Sequence, residues 1–484
     1  RVPAGTRLKG DTLKLETYLH TLFNFIYSSN SRFNRLNSFL EKHHLSMIFI
    51  LDILLIINVY IAYKYFKSIV SPPFLLGCGM LLASLMATSY YEEWIMNEMC
   101  LKSVGLIGGG CCFFTISCIL FSKIFKIYKL SHPAVFNHKF NTKRIRLFYI
   151  FSILIGLLGI LLKLYYMKSQ FGSLGLSELI VARRMDQWNG ENNLKIPSIV
   201  RQMGSYTSVI SFLSTWLYSI IIISKDKYLK KIKWLIILHL CITFFDGMLS
   251  GSKAPLLELI VIFGVMYFYN YYAKIGKYYI NKKMFIRFAI IMILLAVSFR
   301  GLSLLIGRNV DERTNIDLLA EYCGAQIKNF DIYIQENPQK VKTRVWGENT
   351  FFNFYSELYP EKFEKEPDTF QFINNHSLGN VYTLFKPYHQ DFGNLGVFTI
   401  SFFIAFVSMF FYAKSTYSLK NPAKINAYLI IYSTMAMSIF MGFFSSRFTE
   451  SICRPGWFRT VIYILILVWI VNHFLIKYTH KRWE

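Results

Sequence analysis

The stretch PYHQDFGNLGVFTISFFIAFVSMFFYA, Pro387–Ala413, changes character within a few residues. It begins with a polar segment carrying His389, Gln390 and Asp391 and becomes an unbroken apolar run over 393–413. A helix needs roughly 20 such residues to cross a bilayer. Blocks of that length recur at 46–65, 72–91, 104–124, 147–167, 203–223, 234–250, 255–272, 288–306, 393–413, 425–445 and 457–476. Backbone groups in lipid must be satisfied internally, so these blocks are read as helices. At 54% hydrophobic and 18% aromatic, the chain is also too apolar for an ordinary soluble domain. The expected fold is all-α, a polytopic transmembrane bundle of about 11–12 spans with one large extracytoplasmic loop.

Four regions follow. Residues 1–45 form an N-terminal segment, 46–307 hold the first eight spans, 308–392 form the large loop, and 393–484 hold the last three spans and a basic tail. The first region has no initiator Met, and Arg1–Gly10 is compatible with an expression remnant. Apolar residues at helical spacing from Leu13 to Phe39, with Arg32, Arg35 and Lys42, suit an interfacial helix.

A net charge of +25 would suit nucleic acid, but its distribution argues for a membrane. Lys123, Lys126, Lys129, Lys139, Lys143, Arg144 and Arg146 occupy one short connection without an acid. Segments 225–233, 274–287 and 477–482 are similarly basic and alternate with less basic connections. That is the positive-inside pattern. It puts the C-terminus in the cytoplasm and the acid-rich large loop outside. Of eight cysteines, Cys78, Cys111, Cys112, Cys118 and Cys241 fall in spans as small apolar filler. Cys100, Cys323 and Cys453 fall outside, where a disulfide is admissible although no spacing framework supports one. No Cys/His cluster has zinc spacing.

Against that charge rule, Arg recurs at the outer helix ends. Arg183 and Arg184 lie in the outer segment 168–202, Lys253 follows the Ser250-Gly251-Ser252 break, Arg300 and Arg308 lead into the large loop, Arg313 follows, and Arg447 lies in the last outer connection. Arg binds phosphate oxygens in bidentate fashion, so this set is the candidate pyrophosphate site. The alternative is that each Arg snorkels to headgroups. Asp246, within an apolar run, is expected to pair with Lys253 or an Arg, as a structural ion pair or a catalytic group. His389, then Asp391 or His376, are the candidate general bases, since imidazole titrates near neutral pH. Glu348 is a further acid in the loop. Trp346, Phe351, Phe352, Phe354, Tyr355 and Tyr359 fit either sugar stacking or a small core for the loop.

At Gly379-Asn380-Val381-Tyr382-Thr383 and Pro387-Tyr388-His389-Gln390-Asp391-Phe392-Gly393-Asn394-Leu395-Gly396, leading into a span, the chain resembles the Wzy-type repeat-unit polymerases of O-antigen and capsule assembly. The likeness runs from about residue 46 to the end and includes the Ser250–Lys253 turn and the Arg-rich first outer loop. Arg313 and Gly324 also match an Arg-x10-Gly spacing described for such loops, a weak pattern. The resemblance implies a GT-C-like glycosyltransferase of the bacterial inner (plasma) membrane. Its donor and acceptor would be undecaprenyl-pyrophosphate-linked oligosaccharides, and a chain-length regulator would be a partner. It implies an inverting transfer with no cofactor and no metal, and no nucleic-acid partner. Two other readings stand beside it. Glu92-Glu93 in the first outer loop would suit a metal-dependent GT-C transferase using a polyprenyl-phosphate sugar. A transporter or lipid-linked oligosaccharide flippase often shows internal repeats and broken helices; the sequence displays no convincing internal repeat, and its large outer loop is asymmetric.

Overall fold

The computed structural model describes residues 46–477 apart from 131, 135–138, 189–193, 225–226, 253, 280–285, 287–289, 291–299, 302, 305–313, 337–342, 364–367, 375 and 423. Of the expected spans, 288–306 lies largely outside the described residues, and so do the N-terminal segment and most of the basic tail. The helices are α1 Met47–Phe66, α2 Pro72–Thr88, α3 Leu101–Phe125, α4 Thr142–Phe171, α5 Leu176–Trp188, α6 Ser198–Ser224, α7 Lys233–Met248 and α8 Ala254–Ile275. The large loop folds as α9 Asn315–Cys323, α10 Ala325–Gln335, α11 Phe352–Leu358 and a hairpin of Gln371–Ile373 with His376–Gly379. Helix α12 Phe385–Thr416, α13 Ala427–Phe440, the short α14 Arg447–Ser451 and α15 Pro455–Ile470 complete the chain. Seven helices among the described residues are long and apolar enough to cross a membrane, and α2 and the Ala427–Phe443 stretch are shorter apolar helices. The chain is thus an all-α, multi-pass membrane bundle.

Helix α4 shows why water is not its solvent. Leu147, Phe151, Leu154, Leu158 and Leu161 are exposed and recur every three or four residues, which aligns them on one face. Its buried face carries Ile145, Tyr149, Ser152, Ile153, Gly156 and Gly159. Outward Leu with inward small and polar residues is the pattern of a helix bathed in lipid, where close approach is gained at small residues. A Cβ at Gly156 would lie 2.7 Å from Ile242 of α7, and one at Gly110 of α3 would lie 2.8 Å from the Phe385 ring of α12.

The two ends of the bundle differ. At one end Tyr128 N–H donates to Thr416 Oγ1 (3.0 Å), Tyr278 Oη–H to the Tyr128 carbonyl (3.0 Å) and Lys274 Nζ to the Ile223 carbonyl (2.6 Å). There the two-residue strands Lys139–Phe140 and Ile476–Lys477 also pair. The segments meeting at this end, 67–71, 126–134, 139–146, 227–233, 274–279, 414–426 and 471–477, contain no Asp or Glu among the described residues. The opposite end carries the loop. Lys328 donates to the Ile95 carbonyl (2.8 Å), Asp331 accepts from Cys100 N–H (3.0 Å), and Asn353 donates to the Glu450 carbonyl (2.8 Å). These bonds tie α10 and α11 down onto helix ends far away in sequence.

The helix expected from residue 393 does start at a break there, and a further helical segment over 385–392 precedes it, with Phe385 and Tyr388 buried in the core although polar residues flank them. Gly393, at φ 66° and ψ −157°, then breaks the helix before the apolar run. All eight cysteines lie among the described residues and none is in a disulfide, so Cys100, Cys323 and Cys453 are not bridged in this structure.

Candidate functional site

The first polar group lies where α4, α5, α6 and α7 meet. Lys163 Nζ of α4 stands 2.5 Å from Asp246 Oδ1 of α7, with both side chains 12% exposed. Asp246 has Lys163 as a direct partner, one the sequence reading did not offer, and its charge also acts on Arg183; Lys253 lies outside the described residues. Gly204 of α6 makes room for the pair: a Cβ there would lie 2.8 Å from Lys163 Nζ and 3.0 Å from Asp246 Oδ2. Arg183 of α5 donates to the Leu249 carbonyl at 3.0 Å. Burial pulls its guanidinium below its usual value, and the charge of Asp246 acts against that.

Helix α5 is held there by Ile180, which is buried with Leu249. It is also held by the turn at Gly251, φ +70°, where a Cβ would lie 3.4 Å from Arg184 Cβ. Ser252 Oγ accepts the Ala254 N–H (3.1 Å) at the start of α8. Lys163, Arg183 and Arg184 thus gather on these elements, with Asp246 and the buried Asp186 as the acids; Asp186 also accepts the Leu194 N–H at 3.2 Å. Partly buried cations around fewer acids form a place for an anion.

The second group lies at the start of α12, under the loop. Tyr333 Oη of α10 is 2.9 Å from His389 Nδ1, with the rings edge to face at 5.6 Å. His389 Nε2 is 3.1 Å from Asn394 Oδ1, just beyond the Gly393 break. With that oxygen as acceptor, Nε2 carries the proton and Nδ1 accepts from the phenol. Burial pushes the Tyr333 phenol upward and the charge of Asp391 adds to it, so the group stays an O–H. Lys386 Nζ is 2.5 Å from Asp368 Oδ1 and 3.4 Å from the Tyr382 ring centroid, a cation held over an aromatic face. Lys102, at the start of α3, acts on His389 electrostatically.

Asp391 does a different job from His389. Its Oδ1 accepts from Asn349 N–H (3.2 Å) and Asn349 Nδ2 (2.8 Å), and its Oδ2 accepts from Thr350 N–H (2.6 Å). Those bonds staple segment 343–351 to α12. Glu348 is likewise engaged: burial raises its carboxyl, but bonds from Arg344 outweigh that and hold it low. His376 is exposed on the hairpin and acts on Asp317, away from the imidazole of His389. Arg447 stands 3.6 Å from Glu450 and over the Phe444 ring at 5.4 Å.

The structure therefore brings Arg183 to Asp246, with Arg184 beside Gly251, and places His389 and Asp391 on one turn but in separate networks. Arg300 is half-buried and engaged. Lys253, Arg308 and Arg313 lie outside the described residues. Sequence reasoning missed Lys163 and Tyr333. Lys163 had a signal, as the one charged residue in the apolar block 147–167. Tyr333 had none. Glu92 and Glu93 are both exposed, and among the described residues no three His, Cys, Asp or Glu side chains gather as a metal set. No family model matches the chain, and no curated protein or solved structure matches it.

Proposed function

We propose that the chain is a GT-C-like polymerase of the Wzy type. It would move a growing glycan from undecaprenyl pyrophosphate onto the non-reducing end of a lipid-linked repeat unit, at the outer face of a bacterial plasma membrane. The observation that carries this reading is the gathering of Lys163 and Arg183 about Asp246 at the loop-bearing end of the bundle, opposite an end without described acids. By the positive-inside rule, the basic end, without acids among its described residues, would be cytoplasmic and the loop end external. Cations at the external end suit a pyrophosphate anchored in the outer leaflet.

In this reading the acceptor hydroxyl displaces Asn394 from His389 Nε2. The imidazole proton then sits on Nδ1 and is held by Tyr333 Oη, leaving the Nε2 lone pair facing the acceptor. As the acceptor oxygen bonds to the anomeric carbon, its proton passes to Nε2. The bond from that carbon to undecaprenyl pyrophosphate breaks, and the electron pair leaves on the phosphate oxygen. Lys163 and Arg183 stabilise that charge, an electrostatic role that strengthens as charge develops. Direct displacement inverts the anomeric centre.

The test is a gel assay of the purified chain with an undecaprenyl-pyrophosphate-linked repeat unit in EDTA. A ladder of longer glycans is expected. A ladder only with Mn²⁺ would shift the reaction to Glu92 and Glu93.

One observation favours a second reading, transport. Polar groups are buried inside the spans: Ser214 Oγ contacts Tyr149 Oη (3.0 Å) and His239 Nδ1 (3.2 Å), Asn270 donates to Ser219 (2.6 Å), and Asp52 accepts from Thr88 (2.8 Å). Flipping of a fluorescent lipid-linked oligosaccharide in vesicles, without chain growth, would establish it.

A further inference from the structure

The loop aromatics do not share one role. Tyr355 stacks on the buried Phe363 at 5.4 Å, Arg344 covers the Phe363 ring at 4.9 Å, and Phe354 packs edge to face on Tyr355 at 5.6 Å. These rings form a small core. Trp346 is different, because it is 70% exposed. Its indole lies 4.9 Å from Phe392 and stacks at 5.9 Å and 19° on Phe351, and both of those rings pack against the main core.

The segment beneath it is pinned. Tyr355 Oη–H donates to the Trp346 carbonyl (2.8 Å), and Asp391 holds Asn349 and Thr350. Phe392 follows His389 by three residues on the same helical segment, so the shelf and the imidazole share a face.

We propose that Trp346, backed by Phe392 and Phe351, is a platform for one pyranose ring of a glycan bound beside His389. The apolar C–H face of a pyranose lies flat on an indole while its hydroxyls point outward. Here they would meet Arg344, whose side chain is 57% exposed, and the exposed Asn394. A ring already fixed by its backing loses little freedom on binding, which favours a weak, flat ligand. That the bound sugar is the acceptor rests on the polymerase reading; that a pyranose binds does not. An indole that only anchors the chain among lipid headgroups needs neither a rigid aromatic backing nor a neighbouring imidazole.

The experiment uses the full chain in nanodiscs. The fluorescence attributable to Trp346, wild type minus Trp346→Phe, is followed while methyl glycosides of glucose, galactose, rhamnose and N-acetylglucosamine are added. A saturable change with at least one glycoside is expected. In the gel assay, Trp346→Ala is expected to raise the acceptor KM about ten-fold while kcat stays within about two-fold, and Trp346→Tyr to restore most of the loss. A ladder from Trp346→Ala with unchanged acceptor KM overturns the platform and leaves the polymerase standing. A glycoside response with no ladder from the wild type overturns the polymerase and leaves the platform standing. A Trp346 signal quenched by brominated lipid and unmoved by every glycoside makes the residue a membrane anchor and overturns the proposal.

Discussion

Replacing Asp246 with Asn preserves shape and removes one negative charge from between two cations. Lys163 and Asp246 are 2.5 Å apart at 12% exposure each, so the pair is largely buried. Breaking a buried pair from one side costs about 3–5 kcal/mol, because the partner is left charged and unpaired. Asp246→Asn should reach the upper part of that range, since the partly buried Arg183 loses its counter-charge as well. Lys163→Met should cost only about 1–2 kcal/mol, because Asp246 still faces Arg183. The asymmetry of about 2–3 kcal/mol corresponds, for a chain of 484 residues, to a shift of about 2–3 °C in Tm between the two variants, measured in nanodiscs. The double variant should recover part of the loss as coupling energy.

Equal Tm losses for the two single variants, with additivity in the double variant, would refute the idea that Asp246 is the shared counter-ion. Function should move the other way. With Asp246 neutral, inorganic pyrophosphate should compete better against the lipid-linked donor, and should lose that gain as salt is raised. Competition no better than wild type would remove Lys163 and Arg183 from the donor site.

Three further outcomes are expected. Tyr333→Phe should lower kcat by about ten-fold or more and leave the acceptor KM nearly unchanged, because its hydroxyl orients His389 and does not meet the acceptor; a change confined to KM would make Tyr333 a binding group. Gly204→Leu should lower Tm, because a Cβ there already falls 2.8 Å from Lys163 Nζ; an unchanged Tm would mean that α6 does not press on the ion pair. The Asp317 carboxyl is held below its ordinary value of 3.8, first by the bond from Tyr90 and then by those from Thr314. Its contribution is therefore full above that value and is lost as pH falls through the lower, folded value. Hydrogen exchange over 315–323 should rise below about pH 4, and Tyr90→Phe should move that rise to higher pH; identical profiles would show that the contact does not matter.

The span positions were legible because about twenty apolar residues is a strong local signal, and ten of the eleven expected blocks coincide with helices. Helix ends were less legible, and α12 shows the reason. Lys386, His389 and Asp391 make 385–392 look like loop, yet Phe385 is buried against Gly110 of α3, a neighbour 275 positions away in the chain (385 − 110 = 275). The same blindness to distance explains Asp246. Local spacing offered Lys253, seven residues on and outside the described residues, but gave no hint of Lys163, 83 residues back and concealed within an apolar block. Residue type alone also could not divide the work between His389 and Asp391. Both are polar groups on one turn, but one faces Tyr333 and Asn394 while the other is consumed by Asn349 and Thr350. Membrane bundles sharpen this limit. A hydroxyl inside a span can bond to its own helix, as Ser152 does to the Phe148 carbonyl. A charge brought into lipid needs a partner that is commonly supplied by another helix, so charged sites are paired across the bundle and not along the sequence. A lone charge inside an apolar block, such as Lys163, is then the most informative local clue, because burial obliges it to have a distant partner.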